Sequence, residues 1–361
     1  MAPSKGWMSR IGRDGNVEEA LMSGLKAKTA ALFTGAALAV FSWGASAADL
    51  NVMHAGGQWG DAVAKCIDEP MAKEKDIKVV VETPGGYAKM AAQVKAGAVV
   101  NVASDASTTE MARMVAEGLI EKIDWAAVNP EPMFDEAKNE YGFGSSYFST
   151  IMAYREDAKA PTNWVDFFDT ANFPGKRGLP KYPDYVLPFA AMAGGQTAAS
   201  VAKDGIDLDK AFAVLDKIKG DTIWWEAGAQ PPQLLADNEV QYAISWSGRV
   251  VGKPGIKVNW QDGMLDVSWF VVAKGATDEQ KKALWTWFHD QTNVDKQACV
   301  AQYISYPGPS PDLEAKLPKE KLGEFPTYSE NKKLQWIPNG EWAFKNAADI
   351  EKRWNEFMLK Q

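Results

Sequence analysis

The chain has 361 residues, enough for one large domain or two ordinary ones. Its 46% hydrophobic and 24% charged residues exclude extended disorder and permit a sizeable core. A formal net charge of -8 without basic blocks excludes a typical nucleic-acid-binding protein, since such a surface repels phosphates. With only 2 His and 2 Cys, the chain also lacks the four-ligand zinc patterns. The 15 Trp are unusual, and indole rings bind cations and flat ligands well.

The first 47 residues predict a secretory signal peptide whose start is over-extended, with residues 1–21 ahead of the signal proper. Lys26 and Lys28 precede an apolar run that is too short to span a bilayer. Ala45-Ser46-Ala47 has the small-x-small pattern of a cleavage site. We therefore expect a mature protein that is exported to the periplasm and does not itself span the membrane.

Apolar periodicity and turn residues predict alternating strands and helices along the mature chain. In chain order, the predicted strands cover residues 50–53, 77–81, 99–103, 144–154, 222–225, 240–245 and 266–273. The predicted helices cover residues 61–74, 87–97, 108–117 (with Thr108 or Thr109 as the cap), 208–219, 233–237, 278–290, 294–303 and 341–359. This order predicts parallel βαβ units in two α/β lobes joined by crossing strands, with a ligand cleft between the lobes.

Catalytic motifs are absent from the sequence. It has neither a phosphate-binding G-x-x-x-x-G-K-[ST] loop nor a G-x-S-x-G nucleophile elbow. His54 and His289 stand far from any nucleophile motif, and the aromatic residues around His289 predict that it packs in a core. We expect a protein that is not an enzyme and that holds no cofactor or metal.

Seven short segments spread over the mature chain carry a family resemblance. They are Gly85-Gly86-Tyr87-Ala88-Lys89, Ala116-Glu117-Gly118-Leu119-Ile120, Pro161-Thr162-Asn163-Trp164, Phe173-Pro174-Gly175-Lys176, Trp224-Trp225-Glu226-Ala227-Gly228, Ile244-Ser245-Trp246-Ser247-Gly248-Arg249 and Ile304-Ser305-Tyr306-Pro307. In order and spacing they resemble extracellular solute-binding proteins of ABC importers, in the branch that includes the spermidine/putrescine receptors.

The resemblance implies a type II periplasmic-binding-protein fold of two α/β lobes, with hinge strands between them and a ligand cleft at their interface. Lobe 1 would comprise residues 49–151 and 269–307, and lobe 2 residues 152–268 and 308–361. It further implies a monomer that closes over a small-molecule ligand and delivers it to an inner-membrane permease driven by a separate ATPase.

Cys66 and Cys299 would both lie in lobe 1 of such a protein, which favours a disulfide between them. Export to an oxidising compartment permits that bridge. Two separate buried thiols are the alternative, because sequence does not give the distance between the two Cα atoms.

Aromatic and hydroxyl side chains are the first candidates for ligand contact. In polyamine receptors of this kind, aromatic rings enclose an alkylamine chain and carboxylates pair with its ammonium groups. By resemblance Trp246 and Tyr306 match binding aromatics, Ser104 follows the third strand at its carboxyl end, and Ser145 and Tyr147 precede the first crossing segment. Each of these side chains would otherwise pack at a lobe interface.

Charged and polar candidates differ from the polyamine pattern. The receptors' Trp-x-Asp in the strand that returns to lobe 1 aligns with Asp266 and Ser268, which share one strand face. Arg249 stands where those receptors carry a small residue, and its guanidinium would bind a carboxylate. Arg249 and Asp266 could then hold both ends of a zwitterion, with polar contacts from Glu226 and Gln230. The alternatives are an Arg249 paired with a protein acid and a solvated Asp266 at the strand end.

These residues predict a binding protein for a small amine, either a polyamine such as putrescine or spermidine or a zwitterion such as a γ-amino acid. An alternative keeps the fold and binds a sugar, a thiamine-like or quaternary ammonium compound, or ferric iron. An exported enzyme on another α/β fold is the lesser alternative.

Overall fold

The structure, a computed structural model, describes residues 48–360, so the predicted signal peptide lies outside the described residues. Its strands are β1 (Ala48–Met53), β2 (Ile77–Glu82), β3 (Ala103–Ala106), β4 (Ile120–Glu121), β5 (Gly142–Arg155), β6 (Arg177–Pro180), β7 (Thr222–Trp225), β8 (Tyr242–Trp246) and β9 (Ile256–Ala273). None of the helices in this part of the chain is long and apolar enough to cross a membrane.

The helices of the described residues are mostly short. In chain order they are α1 (Gly57–Val63), α2 (Glu69–Lys75), α3 (Tyr87–Ala96), α4 (Thr108–Ala116), α5 (Trp125–Val128), α6 (Trp164–Phe168), α7 (Leu187–Ala193), α8 (Ala198–Asp204), α9 (Leu208–Ile218), α10 (Gln230–Ala236), α11 (Ser247–Val250), α12 (Asp278–Thr292), α13 (Val294–Val300), α14 (Leu313–Lys316), α15 (Ser329–Lys332) and α16 (Gly340–Met358). A π-helical turn, Ala64–Asp68, joins α1 to α2, and single 3-10 turns such as Pro183–Tyr185 connect other elements.

The strands form one mixed sheet of nine, in the order β2-β1-β3-β9-β5-β8-β6-β7, with β4 also paired to β9. β1 runs parallel to β2 and β3, and β6 runs parallel to β7 and β8. The two long strands β5 and β9 are antiparallel to each other at the centre of the sheet. The predicted α/β architecture is confirmed.

The long central strands pass from one hydrophobic core to another. One core draws its buried residues from 50–147 and 265–304, and a second draws them from 152–357. A smaller core lies on the other face of the sheet from the second. On β5 the change of core falls between Tyr147 and Ile151, and on β9 it falls between Met264 and Leu265. Side chains near these points are therefore placed at the junction of two separately packed bodies.

The third strand is displaced from its predicted position, residues 99–103, to Ala103–Ala106. The side-chain oxygen of Gln93 accepts hydrogen bonds from the backbone N–H groups of Val100 and Asn101, at 3.0 and 2.8 Å. Those amides are satisfied without a strand partner, so pairing with the neighbouring strands begins only at Val102, whose N–H donates to the Asn51 carbonyl. The strand therefore begins later and includes Ser104, which was predicted to follow it.

The N-cap of helix α4 is Ser107, and neither Thr108 nor Thr109 as predicted. The Ser107 hydroxyl accepts from the Glu110 N–H, and the Glu110 carboxylate accepts from the Ser107 N–H. Ser107-Thr108-Thr109-Glu110 is thus a capping box, a motif that can be recognised from the sequence alone.

The strand predicted at 266–273 is the second half of the 18-residue strand β9. Its first half was missed because Asp262-Gly263 looks like a turn, and Asp262 does have a positive φ of 51°. The chain stays in the sheet through this point because the Asp262 N–H donates to the Leu334 carbonyl and the register on β5 shifts nearby. Other predictions are close, and β7 matches the predicted 222–225.

Cys66 and Cys299 are joined in a disulfide, with their Cα atoms 5.8 Å apart. Cys66 lies in the π-helical turn and Cys299 in α13, 233 residues later. The bridge therefore closes a very long loop that includes almost all of the second core. Such a loop restricts the unfolded chain strongly, by about 5 kcal/mol in the chain-entropy description.

We expect the double variant Cys66→Ala/Cys299→Ala to lose about 2–5 kcal/mol of unfolding free energy, as is usual when a native bridge is removed. Urea unfolding followed by tryptophan fluorescence measures this loss. Dithiothreitol should lower the midpoint of the wild type to that of the double variant, and it should leave the double variant unchanged. An unchanged wild-type midpoint after complete reduction, with two free thiols counted, would contradict the prediction.

Candidate functional site

A cavity of about 200 Å³ opens where the two larger cores meet. Its walls come from the ends of β3 and β8, from the interior of β5 and β9 and from the loops beside them. The lining residues are Ala55, Gly56, Trp59, Asp105, Ser146, Phe148, Tyr185, Trp246, Arg249, Ser268 and Tyr306. We call it the central cavity.

Trp246 and Arg249 enter the central cavity from the junction of β8 and the one-turn helix α11. The Ser247 hydroxyl accepts from the Ser149 N–H and ties this helix to β5. The Trp246 ring lies flat against Gly228, where a Cβ would come within 2.8 Å of two ring carbons. Only glycine at this position leaves the indole its place.

Arg249 has a charged side chain without a charged partner. Within residues 48–360 it forms no ion pair, and its buried Nε has no hydrogen-bond partner. The buried indole Nε1 of Trp246 likewise has no partner in this part of the chain. Two unsatisfied buried donors beside one cavity are costly unless a ligand accepts from them. The predicted alternative of an Arg249 paired with a protein acid is therefore not what the structure has.

Five aromatic side chains line the cavity, and four of them, from Trp246 through Tyr185 and Phe148 to Tyr306, form a series of neighbouring rings. The ring centroids are 6.2 Å apart for Phe148 and Tyr185, 5.7 Å for Tyr185 and Trp246, and 6.4 Å for Phe148 and Tyr306. The Tyr306 ring packs on Gly248, where a Cβ would lie 2.5 Å from it. Burial raises the pKa of the Tyr306 hydroxyl, and the neighbouring Arg249 guanidinium opposes this rise. Such a wall suits an apolar chain and the face of a cation.

Asp105, on β3, is the carboxylate of the central cavity. Its Oδ2 accepts from the Ala55 N–H at 2.6 Å, and its Oδ1 would lie 2.0 Å from a Cβ on Gly85. Burial raises the pKa of Asp105 to about 7, against the opposing effect of the Ala55 hydrogen bond. In the described part of the chain no Lys or Arg forms an ion pair with it.

Four of the sequence-predicted site residues line this cavity together: Trp246, Tyr306, Arg249 and Ser268. They come from three distant parts of the sequence. These four residues include the cationic group and two of the aromatic groups that the sequence indicated.

Ser104, Ser145 and Tyr147 lie just behind the cavity wall. The Ser104 hydroxyl accepts from the Gly86 N–H, and the Ser145 hydroxyl donates to the Ser268 carbonyl. Tyr147 is fully buried in the first core against Phe134. Side chains alternate along a strand, so the cavity receives the next residues along the chain from each of them, Asp105, Ser146 and Phe148.

Asp266 lines a smaller cavity of about 50 Å³, whose wall Tyr185 shares with the central cavity. Its Oδ1 accepts from the Thr108 hydroxyl at 2.7 Å and from the Val267 N–H at 2.8 Å. Burial raises its pKa to about 6. Asp266 is 4% exposed, so the alternative of a solvated strand-end acid does not hold, and Tyr185 separates it from Arg249.

Glu226 and Gln230 lie outside the central cavity. Glu226 is exposed and pairs with Lys181 at 2.7 Å. The Gln230 side-chain oxygen accepts from the N–H groups of Glu226 and Ala227, at 2.7 Å each. Gln230 thus shapes the loop that presents Gly228 to Trp246.

Asp105, Tyr185, Trp59 and Phe148 were not predicted from the sequence. Asp105 directly follows the predicted Ser104. Because the third strand was predicted at residues 99–103, the prediction did not assign a strand face to Asp105. Phe148 directly follows Tyr147, and it was missed because the residues predicted from this strand, Ser145 and Tyr147, are on the opposite face. For Trp59 and Tyr185 the sequence carries no local signal that separates a cavity wall from a packed core.

Known proteins resemble this chain over most of its length. A family model described as bacterial extracellular solute-binding protein matches residues 66–327. A gamma-aminobutyric acid-binding protein of Pseudomonas aeruginosa strain PAO1 is 31% identical over 329 residues, which cover 88% of this chain and 92% of that protein.

Solved structures agree with the family match. The Atu4243 GABA receptor is 28% identical with a TM-score of 0.78, covering 86% of this chain and 97% of its own. An ABC transporter substrate-binding protein from Bradyrhizobium japonicum USDA 110 is also 28% identical, with a TM-score of 0.79 and coverage of 86% and 99%.

The polyamine branch is more distant than the sequence motifs suggested. A spermidine/putrescine ABC transporter substrate-binding protein from Streptococcus pneumoniae is 16% identical, with a TM-score of 0.67 and coverage of 86% and 99%. That likeness supports a shared fold and carries no information on the ligand. With its two-lobe relatives and its matching family model, the chain belongs to the bacterial extracellular solute-binding proteins.

Proposed function

We propose that this protein binds a γ-amino acid, with γ-aminobutyrate (GABA) as the leading candidate, and delivers it in the periplasm to the permease of an ABC importer. The observation that carries this proposal is the pair of opposite, unpaired charges on one aromatic cavity: the Arg249 guanidinium and the Asp105 carboxylate. The GABA-binding relatives support it independently.

A zwitterion satisfies both charged groups at once. Its carboxylate would accept from the guanidinium of Arg249 and from the unpartnered Nε1 of Trp246, which are buried donors beside the same cavity. Its ammonium group would pair with Asp105, and its methylene chain would lie along the aromatic rings. Every polar group of the ligand then has a partner.

A diamine such as putrescine fits these charges less well. One ammonium group would pair with Asp105, but the other would meet Arg249, a like charge that also remains unpaired. Juxtaposed like charges in a partly buried site cost several kcal/mol as an order of magnitude. The polyamine interpretation of the sequence therefore ranks below the zwitterion.

Isothermal titration of ligand-free protein should give a clear binding signal with GABA and none with putrescine at the same concentrations. Arg249→Gln should weaken GABA binding by about tenfold or more, since a hydrogen bond to a charged group contributes about 1.5–3 kcal/mol. Arg249→Lys keeps the positive charge but loses the planar guanidinium, so its affinity for GABA should lie between those of the wild type and Arg249→Gln. Tighter binding of putrescine than of GABA by the wild type would refute the proposal.

The pH dependence of binding separates the two candidate carboxylates. Asp105 must be ionised to bind an ammonium group, and its pKa is raised to about 7 by burial. The affinity for GABA should therefore rise with pH, by roughly tenfold between pH 6 and pH 8. GABA itself keeps both charges over this range, because simple carboxyl and alkylamine groups titrate near 4 and about 10.

Asp105→Asn should weaken GABA binding and remove this pH dependence. Asp266→Asn is the matched control, because Asp266 also has a raised pKa, about 6, yet lies behind Tyr185. Its amide oxygen still accepts from Thr108, so the affinity and its pH profile should stay close to wild type. Loss of the pH dependence in Asp266→Asn, with retention in Asp105→Asn, would place the ammonium group at Asp266 instead.

A further inference from the structure

A second compartment continues from the central cavity. It has a volume of about 270 Å³ and shares Ala55, Asp105, Phe148, Tyr185 and Ser268 with the central cavity. Asp105 therefore does not stand at the end of the available space. It stands on the common wall, with Arg249 on one side and open volume on the other.

The far wall of the second compartment is made of small residues and one acid. Gly85, Gly86, Ala106, Ser107 and Glu110 line it. Gly86 has a φ of 111°, and a Cβ there would lie 3.3 Å from Glu110 Oε1, so a side chain at this position would be strained. These small residues leave the compartment open beside β3.

The charge of the second compartment is negative. Asp105 and Glu110 are its only ionisable carboxylates, and no Lys or Arg of the described residues lines it. The Glu110 carboxylate also accepts from the Ser107 and Tyr87 N–H groups, which fixes its position. A group that enters from the central cavity is therefore favoured when it is cationic or neutral and polar, and it is repelled when it is anionic.

We propose that this protein also binds γ-amino acids whose nitrogen carries a further cationic or neutral polar group, with the extension seated in the second compartment. This inference rests on the proposed function, which places the ligand nitrogen at Asp105. A guanidino acid such as 4-guanidinobutyrate meets the geometry directly. It has the carbon chain of GABA, its planar fork pairs with a carboxylate through two hydrogen bonds, and its added nitrogens point beyond Asp105.

Ala106 provides a test of this compartment. It ends β3 one residue after Asp105, lines the compartment and is 5% exposed. A larger side chain at position 106 is expected to narrow the second compartment, and Ala106 is not among the residues that line the central cavity with Arg249.

The test is a titration of wild type and Ala106→Leu with GABA and with 4-guanidinobutyrate. We expect the wild type to bind both, with affinities within about tenfold of each other, because the same charged groups are satisfied. Ala106→Leu should weaken 4-guanidinobutyrate by about tenfold or more through overpacking and change GABA much less. Val100→Leu, at an exposed position of the same segment, is the control and should alter neither affinity.

An anionic probe, N-carboxymethyl-GABA, tests the charge of the compartment and should not bind measurably. Binding of GABA without 4-guanidinobutyrate would overturn this inference and leave the proposed function standing. Binding of 4-guanidinobutyrate without GABA would overturn GABA as the leading ligand of the proposed function and leave the second compartment as the site of the extension. An equal loss of both ligands in Ala106→Leu would also overturn it; if that variant melts below the wild type, the smaller Ala106→Val replaces it under the same criteria.

Discussion

An unpaired guanidinium at the junction of two cores is the constraint on which the rest of this site depends. Arg249 is partly removed from water and has no ion-pair partner in the described chain. A desolvated charge without a partner costs several kcal/mol as an order of magnitude. Asp105 has the same difficulty with the opposite sign, and burial shifts its pKa toward the neutral form. An ion pair between these two groups would remove the cost, but they line the cavity from different elements, β3 and α11, and form no ion pair in the described chain.

The fold keeps the two charges apart while keeping them aligned. Asp105 belongs to β3, which is paired with β9 in the first core, whereas Arg249 follows β8, which is paired with β5. Because β5 and β9 run through both cores and pair with each other, the two walls are positioned by the same pair of strands. Relative motion of the two bodies would change the width of the gap without disturbing either wall. A ligand that pairs with both charges stabilises the narrow arrangement by its differential affinity.

Close backbone contacts fix the side chains before a ligand arrives. Trp246 rests on Gly228 and Tyr306 on Gly248, and at neither glycine is there room for a Cβ. Gln230 holds the loop that carries Gly228, through two backbone hydrogen bonds. Rings held in this way lose little conformational entropy on binding, so more of the interaction energy is available as affinity.

The sequence predicts the cationic side of the site better than its acidic side. Trp246, Tyr306 and Arg249 stand beside recognisable motif residues, so their placement follows from the order of strands and helices. Asp105 was missed because Gln93 satisfies backbone amides that would otherwise pair, which moves β3 by several residues. Ser145 and Tyr147 were chosen instead of Ser146 and Phe148 because a register shift on β5, between Gly144 and Ser146, sets the phase of the strand. Both errors depend on long-range pairing, which a local pattern does not encode.

Asp266 illustrates the same limit in a different way. Its strand face was predicted together with Ser268, yet only Ser268 reaches the central cavity. Tyr185, from a distant 3-10 turn, covers Asp266 and leaves it with Thr108 as its main polar partner. Two carboxylates whose pKa values are both raised by burial thus differ in what they can do. Asp105 accepts a backbone hydrogen bond from Ala55 and lines the central cavity, whereas Asp266 accepts two hydrogen bonds on Oδ1, is buried and does not line that cavity. The ability to bind a ligand cation follows from that access rather than from the burial or the pKa of either acid.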